Sequence, residues 1–455
     1  MKKREIYKRI IKIAVISLFI FLVTSFAYLW IDSERDYLKF RAEGLSLSEA
    51  APSGVKYIRK YLSKSWDAPD SLKKLFARES KGDRLFIREE FKYKESITIS
   101  FVGDIMWIRN GWSSFLDDSV RRYLSKSDMV FGNLETPIDT LAHVPSLLPD
   151  YANYNSNPEL LRSFRRDDGV NIFTALSFAN NHTLDKGVKG LDMTLQFLEK
   201  EGILATGASR ATNIGQREYL LIEKMGVRIG FYAATWGLNN LDLLNSGEVI
   251  INRIYGIAPL QKDIIDLSSK FAILEKMRDD SVDIKIMFLH WGYEYELYPD
   301  IEIVRIGREL AKAGADLIVG SHSHVVQPYE ICLGNGYNSV SDSLKAYYYN
   351  FNDPTGVPRK SLILYSLGNF TTAMYTPLCR LGLIQNVTLF RNSSTGVWDW
   401  DLGESAFVYN NSTGFAGSKR KLLFYKDYIE NLTAKSPGRA AKIDAEVRSV
   451  LQQYE

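Results

Sequence analysis

The chain has 455 residues, long enough to bury a sizeable core, and its 45% hydrophobic and 24% charged residues are the balance of a globular protein rather than a disordered one. The net charge of +3 hides an asymmetry, because the first twelve residues hold six basic groups and one acidic one. The remainder is close to neutral, which excludes the overall basic footprint of a nucleic-acid binder.

Nineteen residues from Ile13 to Ile31 carry no charge, about the length a helix needs to cross a hydrocarbon core of ~30 Å. Lys2, Lys3, Arg4, Lys8, Arg9 and Lys12 precede this run, and Tyr28 and Trp30 stand near its end. The positive-inside rule then predicts a cytoplasmic tail over 1–12, a single transmembrane anchor over 13–31, and all that follows outside the cytoplasm, at the cell membrane. A cleaved signal peptide is the alternative, although no clear small-x-small cleavage site follows the run. Residues 32–94 are charge-rich with short amphipathic stretches, Val55 to Leu62 and Ser71 to Phe76, and read as a membrane-proximal stalk.

From residue 95 onward, β-branched apolar runs alternate with helical patterns, the signature of βαβ units and a largely parallel sheet. Strands are predicted at Ser96 to Val102, Met129 to Phe131, Ile172 to Phe178, Arg228 to Ala234, Ile284 to Leu289, Leu317 to Val319 and Leu362 to Ser366. Between them Val188, Leu191, Leu195 and Leu198 recur at helical spacing. No Pro, Gly or Ser-rich linker divides 95–415, so one large α/β domain is expected there, with insertions at Leu141 to Tyr154 and Leu333 to Lys360. Residues 416–455 read as a helical tail packed on that domain, interrupted at Pro437 and Gly438, and Lys419, Arg420 and Lys421 as a solvated basic face. Cys332 and Cys379 form no disulfide framework and read as isolated buried thiols.

Polar clusters begin where the apolar strands stop: Gly103-Asp104, Gly132-Asn133-Leu134-Glu135, Asn180-Asn181-His182, His290-Trp291-Gly292 and Gly320-Ser321-His322-Ser323-His324. Ligands of open parallel sheets bind beyond the carboxyl ends of the strands, so five such endings can converge on one place. Four of the five histidines lie in them. With Asp104, Glu135 and Asn181 they make a mixed nitrogen and oxygen donor set suited to a divalent metal, Asn181 through its amide oxygen. His143 falls in a loop and is read as a surface residue. Ser177, Ser321 and Ser366 lie in no nucleophile-elbow sequence.

The segments GDIMW, FGNLETPID, LSFANNHTLDKGVKGLDMTLQFLEKEGI, LHWGYEYE, GADLIVGSHSHVVQPYE and LYSLGNF resemble, in order and spacing, the CapA family of bacterial poly-γ-glutamate capsule proteins. That family resembles the calcineurin-like metallophosphatases, and the resemblance covers roughly residues 97 to 375. It implies a layered α/β/β/α sandwich and one or two divalent metal ions, of Mn, Fe, Zn or Mg. Asp104 and Glu135 would be carboxylate ligands, Glu135 bridging two metals. Asn181, His290 and His322 would complete one metal and His324 would help hold the other. His182 would act as general acid or oxyanion stabiliser, with Asp185 orienting its ring. Tyr293, Glu294 and Asn369 are candidates for substrate contact and for the rim of the site.

Met106 stands where metallophosphatases commonly place a histidine, which leaves one metal a nitrogen ligand short. Three functions follow from the resemblance. One is a membrane-anchored, metal-dependent hydrolase acting outside the cytoplasm on an anionic polymer such as poly-γ-glutamate. Another is a non-catalytic accessory subunit of a polymer synthase complex, and the third a nucleotidase-type phosphoesterase.

Overall fold

In the computed structural model, α1 (Asp70–Glu79) is followed by β1 (Ser96–Met106), α2 (Asp118–Ser125), β2 (Met129–Glu135), α3 (Glu159–Arg162), β3 (Ala175–Ser177), α4 (Gly187–Lys200), β4 (Leu204–Thr206), β5 (Ala208–Arg210), β6 (Leu220–Lys224), β7 (Val227–Thr235) and β8 (Val249–Ile251). There follow α5 (Ser268–Asp279), β9 (Ile284–His290), α6 (Ile301–Ala313), β10 (Leu317–Ser321), β11 (Tyr329–Leu333), β12 (Lys360–Leu364), β13 (Asn369–Thr371) and α7 (Pro377–Arg380). The chain closes with β14 (Leu381–Arg391), β15 (Trp398–Thr413), β16 (Lys419–Phe424), α8 (Tyr425–Lys435) and α9 (Pro437–Leu451). The structure describes residues 70–79, 96–145, 153–212, 218–239, 243, 246–254, 267–333, 359–391, 396–413 and 419–454.

Residues 66–257 and 266–455 make one unit, and a second, of residues 1–65 and 258–265, lies outside the described residues. So do the expected basic tail and transmembrane anchor, most of the stalk, half of the first insertion and most of the second. Among the described residues no helix is long and apolar enough to cross a membrane.

Two mixed sheets carry the fold, which is of the α/β class expected from the sequence. The larger has the order β16-β15-β14-β1-β2-β3-β4, with β13 also paired to β1; the smaller has β11-β12-β10-β9-β7-β6. Neighbours among β1 to β4 and among β7, β9, β10 and β12 are parallel, while β14 to β16, β6 and β11 are antiparallel additions.

The period-2 alternation of a strand decides which side chains meet between the sheets. Phe101 and Phe131 stack at 5.6 Å on the larger sheet, Phe131 meets Phe231 of the smaller at 4.9 Å, and Phe231 meets Phe288 at 6.2 Å. The opposite face of the larger sheet, with Val102, Val130, Leu134 and Leu176, packs on residues of α2 and α4 in a separate apolar layer. Since Phe131 points between the sheets, so do Asn133 and Glu135, two and four residues on. By the same count Phe288 is followed on its face by His290, and Phe231 by Ala233 and Thr235. The aromatic layer therefore ends in polar side chains, all at one end of the strands.

Two differences from the sequence reading concern this region. The strands do not stop where the polar residues begin, because the ladder continues through Asp104, Glu135, His290 and Ser321. Their backbone groups stay paired while their side chains turn inward. Two glycines make the close approaches possible: a Cβ on Gly103 would lie 1.9 Å from Gly368 O, and one on Gly320 would lie 1.9 Å from Tyr365 O and 2.4 Å from Trp291 Nε1.

The C-terminal tail also differs from expectation, since 419–424 form an edge strand on β15 before α8 and α9, with Pro437 at the start of α9. Arg420 is half-buried while Lys419 and Lys421 are exposed, so the three basic residues are not one solvated face. The tail ends with Tyr454 buried, its hydroxyl donating to Gln327 O at 2.6 Å. Of the expected stalk, α1 is described, and its Phe76 is buried against Tyr298 and Tyr365. Cys332 and Cys379 are buried free thiols.

Candidate metal centre

Asp104, Glu135, Asn181, His290, His322 and His324 come together at the polar end of the inter-sheet layer, all of them buried. Asp104 is held on both oxygens: Oδ1 accepts from Asn133 Nδ2 at 2.8 Å, and Oδ2 from the backbone N–H of His322 at 3.0 Å. His322 and His324 adopt left-handed backbone conformations, with φ of 90° and 57°. Such conformations cost of order 1–3 kcal/mol for residues with a side chain and persist where the surroundings over-determine them. Here the hydrogen bond from His322 N to Asp104 is part of that constraint.

Glu135 is treated differently by its surroundings. Both of its carboxylate oxygens are buried and neither has a hydrogen-bond partner among the described residues. His290 Nε2 lies 3.4 Å from Oε1, and His324 Nδ1 lies 3.8 Å from Oε2. Burial, with Asp104 adding like-charge repulsion, pushes the Glu135 carboxyl well above the ordinary range. Nδ1 of His322 is likewise buried without a partner. Leaving an ionised carboxylate uncompensated in the interior costs several kcal/mol even after relaxation.

This donor set fits a divalent cation. Asp104, Glu135 and His290 offer ligand atoms that all lie within 4.8 Å of one another, and so do Glu135, His322 and His324. Glu135 is common to both groups. His290 thus groups with Asp104, whereas the resemblance pairs it with His322. The amide oxygen of Asn181 lies 2.8 Å from His290 Nε2, on the side of Glu135 Oε1.

The histidines are prepared for ligation in different ways. Burial holds His290 and His322 well below the ordinary imidazole range, with neighbouring histidines adding to it, so both are neutral with lone pairs available. Nδ1 of His290 lies 3.0 Å from Ser321 Oγ, a partner that leaves Nε2 for a metal. Burial pulls His324 down too, but Glu135, Asp104 and Glu294 outweigh it and hold the ring well above its ordinary value. His324 Nδ1 lies 3.0 Å from Asn369 Oδ1, and Nε2 lies 3.6 Å from Glu294 Oε1.

His182 stands beside this cluster. Its Nδ1 is 2.6 Å from Asp185 Oδ2, which also accepts from the backbone N–H of Tyr154 at 2.6 Å. A proton on Nδ1 satisfies Asp185 and leaves Nε2 as the atom turned away from it. The Tyr154 ring stacks on the imidazole at 4.0 Å between centroids.

Of the remaining sequence candidates, Glu294 and Asn369 reach the cluster through His324, and Tyr293 is half-buried next to Glu294. His143 is exposed, as expected. Met106 is buried in register with Glu135, its sulfur 3.7 Å from Thr372 Oγ1, so a thioether occupies the position expected of an imidazole.

Sequence reasoning missed Tyr154, Asn239, whose Oδ1 accepts from Asn181 Nδ2 at 3.4 Å and whose Nδ2 lies 3.4 Å from His182 Nδ1, and the full part played by Asn133 and Asn180. Asn180 Nδ2 donates to Leu134 O at 2.7 Å and to Asn133 Oδ1 at 3.2 Å, tying the β3 ending to β2. Asn133 was within reach, since it shares a strand face with Glu135; Tyr154, 28 residues before His182 and beyond an insertion, carries no local signal.

Residues 98–374 match the family model described as bacterial capsule synthesis protein PGA_cap. The capsule biosynthesis protein CapA of Bacillus anthracis is 26% identical over 289 residues, covering 58% of this chain and 66% of that protein. The PGA biosynthesis protein CapA of Bacillus subtilis is 27% identical over 285 residues, covering 57% of this chain and 69% of that protein. The match thus spans about two thirds of the length of these relatives. Among solved structures, the NAD nucleotidase of Haemophilus influenzae is similar at 14% sequence identity and a TM-score of 0.37, over 78% of this chain and 60% of that one. With its family model matched over more than half its length, and with the matched segment carrying every residue of the centre, the chain belongs to the bacterial capsule synthesis protein family PGA_cap.

Proposed function

We propose that this protein is a metal-dependent hydrolase of capsule biosynthesis, acting on an anionic polymer of the poly-γ-glutamate type. The observation that carries the proposal is Glu135, a buried carboxylate without a hydrogen-bond partner among the described residues and common to two groups of potential metal ligands. Asp104, Glu135, Asn181 and His290 would hold one cation, and Glu135, His322 and His324 a second. Cations held there lower the pKa of water and take up negative charge developing on the group under attack.

The protein's own part is to position and to transfer protons. Asp185 holds the His182 ring by Nδ1, so that Nε2 gives a proton to the leaving group, and Tyr154 keeps the ring in plane. Glu135, Asp104 and Glu294 hold His324 well above its ordinary value, so a cation bound there would compete with the proton of that ring. In the same reading, the apolar run 13–31 anchors the chain in the cell membrane with the domain outside the cytoplasm, beside a synthase complex.

The test is a metal analysis of the purified protein together with hydrolysis of γ-linked glutamate oligomers and of p-nitrophenyl phosphate. His322→Ala should lose metal and activity, and His182→Ala should lose activity while keeping metal. A metal-free wild-type protein inert on both substrates after loading with Mn²⁺ or Zn²⁺ would sink the proposal. Met106 favours a second reading, an accessory subunit that binds the polymer without cleaving it, since it withholds a nitrogen from one cation. In that case His182→Ala restores surface polymer to a deletion strain as well as wild type does.

A further inference from the structure

Arg420 lies on β16, paired with Ser412 of β15. Its Nη1 donates to Thr372 O at 3.3 Å, three residues beyond Asn369 of the metal centre. Its Nε and Nη2 are buried and have no hydrogen-bond partner among the described residues. These two nitrogens share the guanidinium edge that forms a parallel, bidentate pair of hydrogen bonds with a carboxylate or phosphate.

The surroundings reinforce the positive charge instead of cancelling it. Burial, then Arg109 and Arg380 as like-charged neighbours, bring Arg420 down to about 10. Among the described residues neither Arg380 nor Arg420 is in an ion pair. Arg380 is buried, its Nε donating to Met374 O at 3.1 Å. Asn369 Nδ2 donates to Cys379 O at 2.9 Å, so the Arg380 segment is tied directly to the residue that meets His324. Arg109 follows β1 five residues after Asp104, and its Nη2 donates to the hydroxyl of Tyr375 at 3.4 Å. Tyr375 is itself 56% exposed, which puts this flank at the surface. Met106 lies on the same flank through Thr372, whose hydroxyl meets its sulfur and whose carbonyl meets Arg420.

We propose that Arg420, with Arg109 and Arg380 beside it, is an oxyanion-binding subsite on the rim of the metal centre. The subsite takes a carboxylate or phosphate oxygen pair of the substrate on the Nε and Nη2 edge of Arg420. It rests on the hydrolase reading only for the identity of the anion's parent molecule. A polymer with a free carboxylate on every residue presents such groups at a regular distance from each scissile bond, so an anchored carboxylate sets which bond meets the metals.

The experiment measures binding, not turnover, on the full chain treated with chelator, using isothermal titration with γ-linked glutamate oligomers and separately with inorganic phosphate. Wild type should bind at least one of them, with a rise in unfolding midpoint. Arg420→Met and Arg420→Lys should each weaken it about ten- to a hundredfold, the lysine because it keeps the charge but loses the fork. Binding of oligomers alone assigns the subsite to polymer carboxylates, and binding of phosphate alone to a substrate phosphate. Absence of heat and of stabilisation with both probes on the unmutated chain overturns the subsite, as does a folded variant that binds as wild type does. Should the chain bind no metal and cleave nothing, retained Arg420-dependent binding still upholds the subsite, so the two proposals fail separately.

Discussion

Replacing Glu135 by Gln separates two roles of one side chain. The substitution keeps the shape and removes the charge from a residue that is fully buried, with neither oxygen hydrogen-bonded. An unsatisfied buried polar group costs about 1–3 kcal/mol, and more when charged. Without metal at pH 8, the Gln variant should therefore be more stable than wild type by about 1–3 kcal/mol. With metal the order reverses, because a cation at a thousandfold excess over its Kd stabilises the wild type by about 4.1 kcal/mol and has lost its shared ligand in the variant.

The pH dependence has a definite sign. Glu135 is held above its ordinary value of 4.5 in the folded chain, by burial first and then by Asp104. The folded state thus binds this proton more tightly than the unfolded state. The associated stability is fully present below about pH 4.5 and is lost as pH rises through the folded value. The gap between variant and wild type should be absent in acid and open as pH rises. Thermal unfolding in chelator and in Mn²⁺, across pH 4 to 8, reads both effects. A Gln variant that is less stable without metal, or that retains metal in elemental analysis, would refute the reasoning.

Asp185→Asn should lower turnover about a hundredfold or more while metal content stays at the wild-type level, because it frees the His182 ring without touching a ligand; loss of metal would place Asp185 in the ligand set instead. Metal affinity should fall on acidification and binding should release protons, since burial and Asp104 raise Glu135, while Glu135, Asp104 and Glu294 outweigh burial in raising His324. Calorimetric titration in buffers of different ionisation enthalpy checks this, and equal heats in all of them would count against it. Gly320→Ala should cost about 3 kcal/mol and weaken metal binding together, because its Cβ would meet Tyr365 O at 1.9 Å and the Trp291 ring nitrogen at 2.4 Å; an unchanged unfolding midpoint would remove that close approach from the account.

The parts of the fold that could be read from the sequence are those in which at least one face of an element is buried. Ile97, Ile99 and Phe101 alternate with Thr98 and Ser100, whereas Ile286 to Leu289 form an unbroken apolar run because that strand is buried on both faces, and both patterns are visible in a single chain. The site was legible for a related reason, since Asp, Glu, Asn and His at the ends of apolar runs stand out against the composition around them. What could not be read depends on pairings across the chain. Lys419 to Phe424 has the charge of a solvated segment, and only its ladder with Asn411 and its neighbours on β15 makes it a strand. That pairing turns Arg420 inward while its two lysine neighbours stay in water. Tyr154 is placed over His182 by an insertion whose length carries no periodic signal. Asp104 and Glu135 read as loop residues because polarity ordinarily marks the end of a strand, whereas the backbone ladder is indifferent to polarity when the side chain has a polar place to go.

The same logic explains why the centre sits at the end of the sheets and not deeper. Between the sheets the layer is aromatic from Phe101 to Phe288, and an ion there would have no donors. One strand step further out, the parallel register brings Asp104 opposite Asn133, Asn133 opposite Ser177, and His290 between Thr235 and Ser321. Six strands of two sheets thus deliver polar side chains to one volume with their main chains already paired, and the backbone needs no further satisfaction there. Among the described residues the residual cost of the centre falls on two histidines with left-handed φ, one partnerless carboxylate and one partnerless imidazole nitrogen. A cation bound there would offset the carboxylate and the imidazole nitrogen directly. Met106 marks the limit of that economy, because a thioether in register with Glu135 fills the space of a ligand without offering a hard donor. A cation held by Asp104 would then have to draw its remaining coordination from water or from substrate oxygens, the oxygens that the proposed arginine subsite would hold.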